Sequence, residues 1–456
     1  VQEVIERVLP RIVPLPEEEA ELREVEKALI ARVDEAARLH DRRLYSRLLG
    51  SASRGTWLRY EKDLDVFIFF PEEYTKQEME RVVSSIASEV LVEVQKRYAE
   101  HPYVRGRFMG YEVELVPCYA IREPSQIRSA VDRTPFHNDY VRGRIGGLEN
   151  EVRLLKQFLR GIGCYGAEAK VEGFSGYLCE LLVLRFGSFQ RVLQSAATWK
   201  PGVVLALGEV EERAARRRFS SPLIFIDPVD ENRNVAGALS LQRFSEFVYA
   251  SKCFLREPAI EYFFPPPRRV SREELLGALS SRGTALVGVR FEAPDVVEDV
   301  LYPQLRKAHR LLRRQLEAGG FRVLGGTVHA GRNCHLVFEL LESVLPAARL
   351  HLGPPVNSSH EERFLGKYRE ELSRPFILNG RWAVFTKRRH GSAAELLRDF
   401  LSGGELHSKG VPKHLAMSIQ EHGFEVVEGE GCLEEEALLS VAEYLLPLFP
   451  WERGSG

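Results

Sequence analysis

Residues 63–70 read Asp-Leu-Asp-Val-Phe-Ile-Phe-Phe, two carboxylates at the mouth of an apolar run. Side chains alternate along a strand, so Asp63, Asp65, Phe67 and Phe69 share one face. Leu64, Val66, Ile68 and Phe70 take the other. Two like charges on one face of a buried strand are destabilising unless a cation sits between them. These eight residues therefore call for a strand with a buried body and a cation at its entrance.

A third carboxylate meets the same demand. In GYEVELVPC (110–118), Glu114 is flanked by Val113 and Leu115, which face the opposite side. Glu112 shares the face of Glu114, and register alone does not choose between them. Glu114 stands deeper in the apolar strand, where a carboxylate is harder to place without a cation, and is preferred. Three carboxylates on adjacent strands can hold two divalent ions about 3.5–4 Å apart. Such a pair activates an attacking hydroxyl and neutralises a leaving pyrophosphate in phosphoryl transfer. Mg²⁺ suits an oxygen-only donor set. Upstream, Gly50-Ser51 opens a loop whose hydroxyl and backbone N–H groups suit a triphosphate. Arg54 adds a charge-assisted contact three residues on. A lone D-x-D is more often a solvated strand end than a metal site. Gly-Ser before it and an isolated acid within a second apolar strand make the set far more specific.

The 456 residues suit about three domains. A net charge of -2 restricts any nucleic-acid surface to a local patch. The six cysteines are far apart with no C-x-x-C pair, which points to reduced core thiols in a cytoplasmic protein. The first residues are too acidic for a signal peptide, and no run approaches 18 apolar residues. A helix is predicted from PLPEEEAELREV to a stop at Gly50. A strand follows, then a helix through TKQEMERVVSSIASEVLVEVQKRYAE, then the strand with Glu114, together an α/β domain. A helical region extends from about NEVRLLKQFLRGIG to SEFVYASKCFLRE. Within it, Asn234 or a neighbour in IDPVDENRNVAGALS is a candidate helix cap. FFPPPRRVSREE (263–274) reads as a linker. Strands TALVGVRF and HLVFELLES and the helix LYPQLRKAHRLLRRQLEAGG make a further α/β or α+β unit. Residues 301–350 hold eight basic and three acidic residues. Arg306, Arg310, Arg313 and Arg314 fall on one face of that helix.

Several longer stretches narrow the reading. GSASRGTWLRYEKDLDVF with VELVPCY resembles the palm shared by DNA polymerase β and poly(A) polymerases. EHPYVRGRFMGYEVELVPCY, SAVDRTPFHNDYV, NEVRLLKQFLRGIGCYGAEAKVEGFSGYLCELL, DPVDENRNVA, LYPQLRKAHR and NGRWAVF resemble the archaeal, class I CCA-adding tRNA nucleotidyltransferases. That resemblance runs from about residue 20 to about residue 390. It implies a multidomain α/β and α+β chain: a polymerase-β-like head over 1–145, a helical neck over 146–265, and an RRM-like body and tail over 266–456. It implies template-free addition of C, C and A to tRNA from CTP and ATP, with two Mg²⁺ ions and release of pyrophosphate, by a homodimer. By resemblance, Asp63, Asp65 and Glu114 are the metal ligands. Ser51, Arg54, Lys156 and Tyr165 contact the triphosphate, His137 and Arg233 the incoming nucleotide, with His101 and Thr134 near the same pocket. Arg306, Arg310 and Arg313 would meet the acceptor stem and T-loop through phosphates, since A-form RNA is read by shape and backbone. The sequence departs from the archaeal pattern, Glu-x-Asp then Asp, by placing Asp-x-Asp then Glu. The alternatives are another terminal transferase on the same palm, such as a poly(A) polymerase, and a non-catalytic tRNA-binding protein.

Overall fold

The computed structural model describes residues 1–98 and 102–453. The chain divides into two compact units. The first takes in residues 1–268, 296–300 and the stretch from Phe449 onward; the second takes in 269–295 and 301–448.

The first unit begins with α1 (Gln2–Ile12) and α2 (Pro16–His40), then β1 (Tyr45–Leu49), α3 (Gly50–Arg54), β2 (Asp63–Phe70), α4 (Lys76–Val90), β3 (Val92–Tyr98), β4 (Pro102–Phe108) and β5 (Tyr111–Tyr119). The strands form one sheet in the order β1-β2-β5-β4-β3, with β2 and β5 parallel and the other pairs antiparallel. α2 starts with Pro16 at its first position, and the Leu15 N–H before it donates to the Glu18 carboxylate at 2.7 Å. Its Leu22, Val25, Leu29 and Val33 join Met79, Val83 and Ile86 of α4 over Leu64, Val66, Ile68 and Phe70. One face of β2 is thus sealed by two helices. The carboxylates are left on the other face, above a smaller cluster of Leu49, Phe67, Phe69, Val116 and Cys118.

Two predicted helices are shorter than the sequence suggested. α2 ends at His40, not Gly50. Asp41 accepts from the Arg43 N–H at 2.9 Å and turns the chain into β1, where Leu44, Ser46 and Leu48 alternate into the core. The helix expected to run to about residue 100 stops at Val90. From Val92 the alternating Val-Glu-Val-Gln pattern forms β3, paired with β4. The head is therefore five-stranded, and its hairpin was hidden in a polar run.

The helical part of the first unit comprises α5 (Thr134–Arg142), α6 (Glu149–Gly161), α7 (Gly176–Phe186), α8 (Phe189–Ala196), β6 (Val203–Leu205), α9 (Glu212–Arg218), β7 (Leu223–Phe225) and α10 (Leu241–Arg256). Phe158 of α6 sits among Phe189, Phe254, Tyr262 and Phe263 at ring distances of 5.4–5.9 Å. Ser240, not Asn234, caps α10. Asn234 instead accepts from the Phe225 N–H and donates to the Leu223 carbonyl, stitching its turn onto β7.

The second unit contains α11 (Arg272–Arg282), β8 (Ala285–Glu292), most of α12 (Glu298–Gly319), β9 (Val323–Ala330), β10 (Asn333–Leu340), β11 (Ala348–Pro355), α13 (Glu361–Lys367), β12 (Phe376–Leu378), β13 (Arg381–Lys387), α14 (Ala393–Ser402), α15 (Lys413–His422), β14 (Glu425–Glu428) and α16 (Leu438–Leu445). Its main sheet is antiparallel in the order β14-β8-β10-β9. Counted within that sheet the order is 4-1-3-2, the RRM-like arrangement. A three-stranded sheet, β11-β13-β12, lies between β10 and α14 in sequence. No helix among the described residues is long and apolar enough to cross a membrane.

Candidate active site

The parallel pairing of β2 with β5 sets Asp63 opposite Glu112 and Asp65 opposite Glu114. Residues opposite each other in register share a face, so all four carboxylates line one side of the sheet. Their surroundings differ. Glu112 is ion-paired with Arg105 and lies 3.9 Å from Arg107, both on β4. Asp65 is pushed up to about 6 by burial, by Asp63 and by Glu61, against the pull of Arg54 and Lys156. Its Oδ2 packs against Gly50, where an added Cβ would lie 2.2 Å away. Gly50 also has φ +76°. A side chain there would meet both the carboxylate and a disfavoured backbone, so the turn into α3 requires glycine. Among the described residues no three His, Cys, Asp or Glu side chains yet surround a common point. The donor set nonetheless suits a divalent ion. It is all oxygen, it shares one face, and its half-buried Asp65 holds a raised pKa beside like charges.

Of the residues expected at the triphosphate, Arg54 and Lys156 lie close enough to Asp65 to pull its pKa down. Arg54 ends α3, and its Nε donates to Glu180 Oε1 at 2.9 Å while Nη1 donates to Asn138 Oδ1 at 3.2 Å. Thr56 Oγ1 donates to the same Glu180 oxygen at 2.6 Å. Lys156 is buried, although a helical lysine ordinarily faces solvent. Its Nζ donates to the Thr56 carbonyl at 2.9 Å. Burial lowers its pKa, with the Glu180 charge as the largest opposing influence. Tyr165 and Lys156 meet at the start of α7: a Cβ on Gly176 would stand 3.1 Å from the Tyr165 hydroxyl and 3.7 Å from Lys156 Nζ. Arg160, one turn beyond Lys156, lies over the Tyr165 ring and pairs with Glu61. Ser51 lies in α3, in the turn that follows β1.

A second cluster gathers around Asp227, which is fully buried. His137 Nε2 donates to it at 2.8 Å and Arg233 Nη1 at 2.9 Å. Tyr177 stacks on the His137 ring at 4.1 Å. Burial holds the His137 imidazole below its ordinary pKa in spite of the carboxylate. Burial acts to raise Asp227, but its bonds to His137, the Val229 N–H and Arg233 hold it below the usual carboxylate range. Thr134 opens α5, the helix that carries His137. His101 lies outside the described residues.

Asp227 and Glu180 were not singled out from the sequence as site residues. A turn explained Asp227. Glu180 carried a usable signal, an acid inside the apolar helix GYLCELLVLRF, the same kind that marked Glu114. Arg306, Arg310 and Arg313 lie on α12, in the second unit. Arg310 is exposed and the other two are half-buried. Arg313 donates to Glu317 at 2.8 Å and to the Val323 carbonyl at 3.2 Å.

The fold and site define a nucleotidyltransferase. Three family descriptions match in succession: nucleotidyltransferase domain over 33–137, tRNA nucleotidyltransferase second domain over 150–264, and CCA-adding enzyme C-terminal domain over 282–429. The chain is 39% identical to the CCA-adding enzyme of Archaeoglobus fulgidus, over 98% of this chain and 99% of that one. It is 41% identical to that of Methanosarcina barkeri, covering 93% of each. It is 42% identical to that of Methanothermobacter thermautotrophicus, covering 89% of this chain and 90% of the relative. The chain belongs to the family of CCA-adding enzymes. Nucleotidyltransferases of this kind generally use divalent metal ions.

Proposed function

We propose that Asp63, Asp65 and Glu114 form the reacting centre of template-independent addition of C, C and A to the 3′ end of tRNA from CTP and ATP. The observation that carries this reading is the register of Asp65 with Glu114 across parallel strands, which sets the two carboxylates on one face beside Asp63. Two Mg²⁺ ions held there would favour the terminal hydroxyl as nucleophile and neutralise the departing pyrophosphate. The chain's own groups do the rest. Arg54, Lys156, Tyr165 and Ser51 take the triphosphate and hold its α-phosphorus in line with the tRNA end.

Arg233 and His137 read the base. Cytosine and adenine each present an acceptor ring nitrogen beside a donor amino group, whereas uracil and guanine present a ring N–H beside a carbonyl. A guanidinium donates only and cannot lose its proton at neutral pH. Set beside an acceptor, Arg233 matches C and A and opposes U and G. Asp227 fixes Arg233 through Nη1 and so limits how far the donor can swing. Residues 1–145 act as head and 146–265 as neck. Residues 266–456, with Arg306, Arg310 and Arg313, take the acceptor stem and T-loop. The enzyme works as a cytoplasmic homodimer.

The test uses tRNA lacking its tail. With CTP and ATP the product is expected to lengthen by three nucleotides ending C-C-A, with pyrophosphate released. A long adenosine tract on generic RNA with ATP alone would instead identify a poly(A) polymerase. Binding of tRNA without pyrophosphate release would identify a non-catalytic partner.

A further inference from the structure

Glu180 is a buried acid with one unsatisfied oxygen. Its side chain is wholly buried within the apolar helix α7. Oε1 accepts from both Arg54 and Thr56, while Oε2 is buried with no hydrogen-bonding partner. A buried ion pair with an unsatisfied oxygen is weak evidence for stability, because replacing the whole pair by apolar groups is often neutral or better. The arrangement does fix one thing closely. Arg54 is gripped through Nε by Glu180 and through Nη1 by Asn138, and among the described residues Nη2 has no hydrogen-bonding partner. Thr56, the second group on Glu180 Oε1, receives Lys156 Nζ on its carbonyl. One carboxylate thus ties two cations of the triphosphate site into a single network.

We propose that Glu180 is a positioning residue for the nucleotide's triphosphate: it locks the Arg54 guanidinium with Nη2 open to a phosphate oxygen and, through Thr56, sets the height of Lys156. This rests on the reading that Arg54 and Lys156 hold the triphosphate. Guanidinium groups recognise phosphate through a fixed fork, so their value depends on orientation held before the ligand arrives. The negative charge of Glu180 also favours the charged form of the buried Lys156. Glu180 touches neither substrate nor the reacting atoms, and its contribution lies in binding more than in chemistry.

The experiment is steady-state kinetics of CTP and ATP addition by the full chain on tRNA lacking its tail. Glu180→Gln keeps the volume and removes the charge. It is expected to raise KM for both nucleotides about tenfold or more while changing kcat by no more than about threefold. Its Tm is expected to fall, because Arg54 and the buried Lys156 keep their charges without the carboxylate, so KM is the deciding readout. In an Arg54→Ala background Glu180→Gln should add little to the rise in KM already present. A lowered Tm with unchanged KM would make Glu180 merely structural and overturn the proposal. So would full additivity with Arg54→Ala. Should Glu180→Gln fail to fold, Glu180→Asp carries the same test, because it withdraws the carboxylate by one methylene; an unchanged KM there is equally fatal. Arg54→Ala alone separates the two layers. If Arg54→Ala leaves KM for CTP and ATP unchanged, the underlying reading of the triphosphate site fails. If it raises KM while Glu180→Gln keeps the parent's KM, only the positioning role fails.

Discussion

At the scale of one residue, Asp65 carries the electrostatic cost of the proposed metal site. Its carboxyl is held at about 6 by burial beside Asp63 and Glu61, against about 3.9 for an unperturbed aspartate. A folded pKa above the unfolded one favours the folded state fully at low pH. That advantage disappears as pH rises from about 4 through 6. At neutral pH the ionised form is therefore a liability until a cation arrives. Asp65→Asn should raise the stability of the metal-free protein at pH 7 by on the order of 2 kcal/mol, the gain shrinking towards pH 4. Calorimetry in chelator across that range checks it, and an unchanged or lower Tm at pH 7 would contradict it. Asp63, Asp65 and Glu114 stood out in the sequence because each interrupts or opens an apolar strand, where an acid needs a reason. Asp227 and Glu180 did not. Asp227 had a sufficient local explanation as a turn residue, and its bond to His137 spans 90 positions. Long-range pairing of that sort leaves no periodic trace in a single sequence.

At the scale of elements, β2 and β5 were legible because their apolar runs are long and their faces unequal. β1 and β3 were not. β1 is five residues between two helices, and its alternation reads equally well as the tail of α2. β3 keeps Val92 and Val94 exposed at the edge of the sheet, so its pattern lacks the buried face that marks a strand. The basic face of α12 was visible from i, i+4 and i+7 spacing, but spacing did not reveal that Arg313 is committed to Glu317 and the Val323 carbonyl. Replacing Arg306, Arg310 and Arg313 together by alanine is expected to weaken tRNA binding and flatten its salt dependence, by about one unit of log–log slope for each phosphate left without its cation. Of the three single changes, Arg310→Ala should weaken binding more than Arg313→Ala. Titrations at several salt concentrations decide this. A dissociation constant unmoved at every salt would leave the helix face merely solvated.

At the scale of the whole molecule, three successive family matches and relatives 39–42% identical along nearly all of the chain fix what it belongs to. What they leave to physics is which carboxylates do the work, since Asp63, Asp65, Glu112 and Glu114 all stand on one sheet face. We propose Glu114, because it stands opposite the strained Asp65, whereas Glu112 stands opposite Asp63 at the strand's mouth. The most direct test compares Glu114→Ala with Glu112→Ala in single-turnover addition of one C to saturating tRNA, with tRNA affinity measured alongside. Glu114→Ala should abolish addition, a loss of roughly a thousandfold or more, and leave the tRNA dissociation constant within about twofold of the parent. Glu112→Ala should still add C at a rate within about an order of magnitude of the parent. A dead Glu112→Ala beside an active Glu114→Ala would contradict the account.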